Sequence, residues 1–210
     1  MKVKDKKAPN IKVLPATATN VTKDEALAAV KTLIKWIGDN STREGLLETP
    51  ARVIKSYEEL FSGYKEDPVA VLQKTFEEIA NYDEMVLVKN IRIESYCEHH
   101  MLPIIGTAHI AYIPNSRIVG LSKLARVADI FAKRLQTQEL LTVQIANTIN
   151  QVLKPKGVAV IIDAYHQCMT MRGVNKHNST TITTKMTGSF QDNPQLRTEL
   201  FTRINQSHAN

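Results

Sequence analysis

Apolar residues recur at two different periods along this 210-residue chain, and the changes of period mark out its elements. Thr22 with Glu25 three residues on reads as a capping box, after which Leu27, Val30, Leu33, Ile34 and Ile37 fall on one helical stripe that stops at Gly38. Thr49 followed by Pro50 opens a second helix, with Val53, Tyr57, Leu60 and Phe61 on one face and Gly63 as its stop. From 84 to 95 the sequence is β-branched and extended, and 105–113 reads as another strand ending at Pro114; the two pair antiparallel across the loop around Cys97. Ser122, after Gly120, reads as the N-cap of a helix running to about Leu135, and Thr137 begins a longer helix carrying Leu140, Leu141, Ile145, Ile149, Val152 and Leu153. Residues 157–163 form a buried strand and 180–187 a threonine-rich one. Asn193 and Pro194 then cap a last helix bearing Leu196, Leu200, Phe201 and Ile204.

The order is therefore two helices, ββ, αα, ββ, α. Strands that come in hairpin pairs favour an α+β fold, with an antiparallel sheet from two β-hairpin pairs, helices on one face and an N-terminal helical hairpin. Composition narrows the class further: 43% apolar and 23% charged residues, with only 8 Gly and 8 Pro, exclude a disordered or fibrous chain. The expected organisation is a flexible lysine-rich tail over 1–20 and one folded domain over 21–210. No apolar run approaches the ~18 residues of a membrane span, and no hydrophobic stretch follows the first lysines, so a cytoplasmic protein that enters no membrane is expected.

The formal charge of +6 invites a nucleic-acid reading until it is located. Five lysines against Asp5 lie within residues 1–12, a solvated tail. Arg117, Lys123, Arg126, Lys133 and Arg134 against Asp129 lie inside a folded segment. Lys123 and Arg126 are three apart at a helix start whose free N–H groups also attract anions, so phosphate is a natural guest; a solvated charged face is the plainer alternative. The charge then describes a small polyanion rather than a nucleic acid.

Cys97 and Cys168 are too far apart in a chain of this kind to be read as a disulfide, but each has histidine beside it. Cys97 and His100, three apart on a turn, can converge on one ion, and His166-Gln167-Cys168 ends the 157–163 strand. If the two loops meet, Cys97, His100 and Cys168 suit Zn²⁺, with an open fourth position for water whose pKa falls toward ~7. His166 is then placed as general acid or base, although His99 and His166 could instead only hydrogen-bond the ligand shell. Arg172, four residues after Cys168, adds a cation. Gln138 and Glu139 add an amide and a carboxylate at a helix start, where a guanine edge could be held or the helix dipole simply complemented. His109, His177 and His208 read as ordinary histidines.

Taken together, Cys-Glu-His-His at 97–100, Gly-Leu-Ser-Lys at 120–123 with Arg126, Gln138-Glu139, His166 with Cys168, and Arg172-Gly173 resemble the GTP cyclohydrolase I family in order and spacing. The similarity spans roughly residues 22–203. It implies a tunnelling fold whose subunits join their sheets into a ring-shaped homo-oligomer, a decamer, with active sites between subunits. It also implies that Cys97, His100 and Cys168 bind zinc, that zinc-activated water attacks C8 of GTP, and that His166 protonates the purine imidazole ring. Formate would leave and the ribose rearrange to give 7,8-dihydroneopterin triphosphate, the first step of tetrahydrofolate or pterin biosynthesis. By the same resemblance Lys123, Arg126 and Arg172 hold the triphosphate, Gln138 and Glu139 hold the guanine, Ser122 and His99 lie near the ribose, and Arg52 reaches the phosphates of a neighbouring subunit. Leu140 departs from the family, many members of which carry Arg there. A zinc base deaminase is argued against by the absence of the His-x-Glu and Pro-Cys-x-x-Cys pattern. A non-catalytic zinc-stabilised nucleotide-binding module of the same fold stays as the alternative.

Overall fold

The computed structural model describes residues 20–73, 75–76 and 82–206. The lysine-rich tail expected over 1–20 lies outside them except for Asn20, and so does His208. In chain order the elements are α1 (Lys23–Trp36), α2 (Thr49–Leu60), α3 (Pro68–Gln73), β1 (Thr75–Phe76), β2 (Val86–Cys97), β3 (Pro103–Ile113), β4 (Ile118–Val119), α4 (Leu121–Ala132), β5 (Leu135–Gln136), α5 (Gln138–Leu153), β6 (Gly157–His166), α6 (Gln167–Thr170), β7 (Thr181–Gly188), α7 (Ser189–Asp192) and α8 (Pro194–Asn205). The capping box forms as read, since the Thr22 hydroxyl accepts from the Glu25 N–H and the Glu25 carboxylate accepts from the Thr22 N–H. Thr137 and Asn193 also cap α5 and α8, through side-chain oxygens that accept from first-turn N–H groups without the reciprocal bond. Ser122 does not cap α4. The N-cap is Gly120, whose carbonyl accepts from the Lys123 N–H at 2.8 Å, so Ser122 lies inside the first turn.

Five strands form one sheet in the order β5-β2-β3-β6-β7, and β1 pairs separately with β4. Every neighbour in the main sheet is antiparallel except β5, which runs parallel to β2 at Tyr96↔Leu135 and Cys97↔Gln136. Because successive side chains on a strand point to opposite faces, the alternating residues of β3 and β6 build two separate cores. Ile104, Ala108, Ile110, Val158, Val160 and Ile162 pack with Leu124, Val127 and Phe131 of α4 and Leu141, Ile145 and Ile149 of α5. Ala111, Ile113, Ala159 and Ile161 pack on the other face with Phe190 of α7 and Leu200 of α8. The expectation of helices on one face is thereby corrected: the apolar run at 158–162 is buried on both sides, and the C-terminal helices close the second. Among the described residues no helix is long and apolar enough to cross a membrane.

α1 and α2 pack on each other as the expected hairpin. The apolar stripe of α1 is nevertheless mostly uncovered, since only Ile34 is buried, while Leu33, Trp36 and Ile37 are 61%, 82% and 70% exposed.

The predicted α4 helix stops three residues early, and Arg134 is the reason. Its guanidinium turns inward, with Nε donating to the carbonyls of Gly63 (2.9 Å) and Ile130 (3.1 Å) and Nη2 to that of Glu66, and it lies over the rings of Phe131 and Tyr64. Gly63 can be no other residue here, because a Cβ would stand 2.0 Å from the Ile130 carbonyl oxygen. Arg134 therefore belongs to the interior rather than to an anion-binding face, and it ties the segment after α2 to the end of α4. Chain reversal at Arg134 lets residues 135–136 leave the helix and join β2 as β5.

His109 is a second inward-facing basic group. Its Nδ1 accepts from the Asn90 N–H at 3.3 Å, across the irregularity in β2 where Asn90 has φ 60°. Burial holds the imidazole below the usual histidine range, Lys89 acts in the same direction, and Asp163 opposes both.

Two outcomes follow for stability. Arg134→Leu leaves several interior carbonyls without their donor and is expected to cost about 2–4 kcal/mol, read as a lower denaturation midpoint. Arg134→Lys should recover only part of this, because one ammonium cannot span the fork of acceptors. A histidine whose folded pKa lies below its unfolded value of about 6.5 stabilises above that pH and loses the contribution as pH falls through it. His109→Gln should accordingly flatten the fall in melting temperature between pH 7.5 and 5.5; an unchanged slope would refute this assignment.

Candidate metal centre and its neighbours

β2 delivers Cys97 as its last residue, and the chain then turns within five residues into β3. Cys97 donates its N–H to the Leu102 carbonyl at 2.9 Å, and its own carbonyl accepts from Met101 N–H at 2.8 Å and His100 N–H at 3.3 Å, with Met101 in the left-handed region at φ 54°. This tight turn fixes His99 and His100 beside the Cys97 sulfur: the Nδ1 atoms lie 3.7 and 3.8 Å from Sγ, respectively. The same turn is tied to β5, since Glu98 N–H donates to the Gln136 carbonyl at 3.0 Å.

β6 runs three residues further than its apolar run predicts, so His166 still belongs to the strand and pairs with Ile104 of β3. Cys168 follows in the short turn α6. The ligand atoms of Cys97, His100 and Cys168 all lie within 4.8 Å of one another. Tetrahedral zinc with bonds of about 2.3 Å to sulfur and 2.0–2.1 Å to nitrogen separates its ligand atoms by about 3.4–3.8 Å. The 3.8 Å between Cys97 Sγ and His100 Nδ1 lies within a few tenths of an ångström of the sulfur–nitrogen value, so the donor set fits the ion in chemistry and needs only a small closure in size. Cys97 is buried, His100 exposed and Cys168 intermediate, which leaves the group open to solvent on one side. Burial pushes the Cys168 thiol up, the Cys97 sulfur beside it adds to this, and Arg172 opposes it.

Two further residues join the cluster. The Arg172 guanidinium donates to His100 Nε2 at 3.2 Å. His166 Nε2 lies 2.7 Å from the side-chain oxygen of Gln138, which is fully buried at the start of α5. Burial pushes the His166 imidazole below the usual histidine range, and Glu139 acts the other way. Glu139 itself is exposed in the first turn of α5. The link from Gln138 to His166 had no sign in the sequence, where the two stand 28 positions apart.

Other expected site residues are not brought here. Ser122, Lys123 and Arg126 lie in the first turns of α4, whose far end leads to β5 beside Cys97. Nine residues of helix separate Lys123 from Ala132, on the order of 13 Å. Lys123 Nζ instead donates to the Val71 carbonyl of α3 at 3.3 Å. Arg52 is exposed on α2 and pairs with Glu48 one turn back. His177 lies in the exposed loop before β7.

Comparison with known proteins gives this arrangement relatives. The family model for GTP cyclohydrolase I matches residues 26–205. The chain is 57% identical over 198 residues to a GTP cyclohydrolase 1 of Brucella suis, covering 91% of this chain and 93% of that one. It is 54% identical over 186 residues to a GTP cyclohydrolase 1 of Maricaulis maris, covering 89% and 91%. Among solved structures, the archaeosine synthase QueF-Like in the apo form aligns with 50% of this chain and 93% of its own at 17% identity, with a TM-score of 0.39. A match over nearly the whole described fold, with identities above one half, decides the matter: the chain belongs to the GTP cyclohydrolase I family of enzymes.

Proposed function

We propose that this protein is a zinc-dependent hydrolase that converts GTP and water to formate and 7,8-dihydroneopterin triphosphate in the cytoplasm. The observation that carries the reading is the convergence of Cys97, His100 and Cys168 within 4.8 Å of one another, with His166 on the strand that leads to Cys168. These three side chains would hold the zinc, which when bound supplies water activated for attack at neutral pH. A purine carbon is a poor electrophile, so the chain must also move a proton to a ring nitrogen, and His166 is the group placed for it. Glu139, the exposed member of the Gln138-Glu139 pair, offers a carboxylate to two adjacent N–H groups of the guanine edge. His99 and Ser122 serve the ribose. Once Nδ1 of His100 serves the metal, its Nε2 carries the proton and no longer accepts from Arg172, which leaves the guanidinium for the triphosphate.

The remaining cations, Lys123 and Arg126, lie about 9–13 Å of helix from the end of α4 that leads to β5, and they make no contact with Arg172. A site shared between copies resolves this, with the metal group from one subunit and the clamp from its neighbour in a ring-shaped homo-oligomer. The uncovered apolar residues Leu33, Trp36 and Ile37, and Ile105, Tyr165 and Ile182 on the sheet, supply surface for such contacts.

Formate release from GTP by the zinc-loaded protein tests the reading directly; bound zinc and GTP with no formate would leave only a nucleotide-binding module. His166→Ala should keep zinc and GTP binding while formate release falls by about 10²–10⁴-fold. Cys168→Ser should lose the metal, and stoichiometric zinc in that variant, measured by elemental analysis, would overturn the ligand assignment. Sharing predicts complementation: subunits of His166→Ala and Arg126→Ala, each inactive alone, should on co-assembly regain about a quarter of the sites in a 1:1 mixture.

A further inference from the structure

The hydrogen bonds around Gln138 have only one consistent set of directions. Its side-chain nitrogen lies 3.0 Å from the Ile162 carbonyl and 2.7 Å from the Thr181 carbonyl, groups that can only accept, and 3.1 Å from the Thr183 hydroxyl. The Thr142 hydroxyl donates to the Gln138 backbone carbonyl at 2.7 Å, so in its 2.7 Å contact with Thr183 it must accept. The Thr183 proton is then used on Thr142, and the Thr183 oxygen is left as a third acceptor around the two amide protons. Each of these steps places the NH₂ of the amide toward β6 and β7 and its oxygen toward His166.

An amide oxygen cannot donate. The 2.7 Å contact with His166 therefore requires the proton of the imidazole on Nε2. Gln138 is fully buried, and flipping its amide would set the oxygen against the Ile162 and Thr181 carbonyls, so the sense cannot be reversed without losing those bonds. We infer that Gln138 acts on His166 rather than on the guanine: it is a positioning residue that fixes the imidazole plane and its Nε2–H tautomer, leaving Nδ1 as the nitrogen that exchanges a proton with the substrate. This rests on the reading of His166 as proton carrier. The amide was expected, with Glu139, to hold the purine, but its nitrogen faces acceptors of the protein and its oxygen faces His166. A side chain held in this way is analogous to the orienting partner of a catalytic histidine, whose loss leaves the wrong tautomer in place.

The test uses Gln138→Met, of similar length and without an acceptor, in the zinc-loaded full-length protein. GTP affinity by calorimetry should stay within about 2-fold of the unsubstituted protein, while formate release at saturating GTP falls about 10- to 100-fold. Weaker GTP binding by 10-fold or more, with formate release at saturation unchanged, would overturn the inference and return Gln138 to the guanine. Magic-angle-spinning NMR of the unsubstituted holoprotein labelled with ¹⁵N-histidine needs no turnover and does not depend on Gln138→Met folding. Its His166 resonance, assigned by its loss in His166→Ala, should report a protonated Nε2, and a protonated Nδ1 with a bare Nε2 would overturn the inference. Should the unsubstituted protein bind zinc and GTP and release no formate, the proposed reaction fails, and the NMR result still decides whether Gln138 sets the tautomer.

Discussion

The site depends first on the place of β3 in the sheet. β2 and β6 are each antiparallel to it, so they run the same way and end at the same edge, two strand spacings or about 10 Å apart. Ile104 of β3 pairs with Ser95 on one side and His166 on the other, so Ser95 and His166 stand at one level and Cys97 and Cys168 each follow two residues further on. A slip of one residue in either pairing would turn a whole strand over. Cys97 would leave the buried face it shares with Ile91 and Ile93, and the metal group would lose its central sulfur. Two separate hydrophobic cores hold the register from both sides, because a slip would carry Ile110 and Ile162 into the core packed for Ile113 and Ile161, and the reverse.

Polar interactions complete what packing begins, and the ones that matter are buried. Arg134 secures the end of α4 against the segment at 63–66, which sets the start of β5, and β5 in turn holds the Cys97 turn through the bond from Glu98 N–H to Gln136. A guanidinium engaged wholly by interior carbonyls and rings thus contributes to the candidate metal group by placing its backbone. The threonines of β7 act similarly on His166 through Gln138. By contrast, the exposed ion pairs of Arg52 with Glu48 and Arg203 with Glu199 each contribute at most about 1 kcal/mol and position nothing in the site.

What could be read from the sequence was local. The caps at Thr22, Thr137 and Asn193, the helical stripes and the strands of the first hairpin depend on residues within a few positions of each other, and they stand where the pattern placed them. The spacing of Cys97 and His100 is local in the same sense. What could not be read was settled by contacts between distant segments. β5 is two residues long and exists only because β2 offers it an edge. Arg134 reads as one more surface cation until Gly63 brings a carbonyl to it. The buried run at 158–162 announces burial without saying what covers each side, so the position of α7 and α8 was hidden. Leu135, taken as helical from its spacing, is a strand residue because tertiary pairing outweighs a propensity difference of a few tenths of a kcal/mol.

The proposed sharing of the site weighs the charge of the chain against its uncovered apolar surface. Bringing Lys123 and Arg126 of one copy toward Arg172 of another sets like charges together, a cost that is screened beyond about 8–10 Å in salt and amounts to about 1 kcal/mol or less per exposed pair. Covering a tryptophan, a leucine and an isoleucine such as Trp36, Leu33 and Ile37 contributes about 1.5–3 kcal/mol for each side chain fully removed from water. The apolar term exceeds the repulsion several-fold, so assembly would not have to wait for substrate. In the proposed shared site a triphosphate would then meet cations already held near one another, and the anion would be favoured there because apolar contacts had separately offset the cost of gathering them.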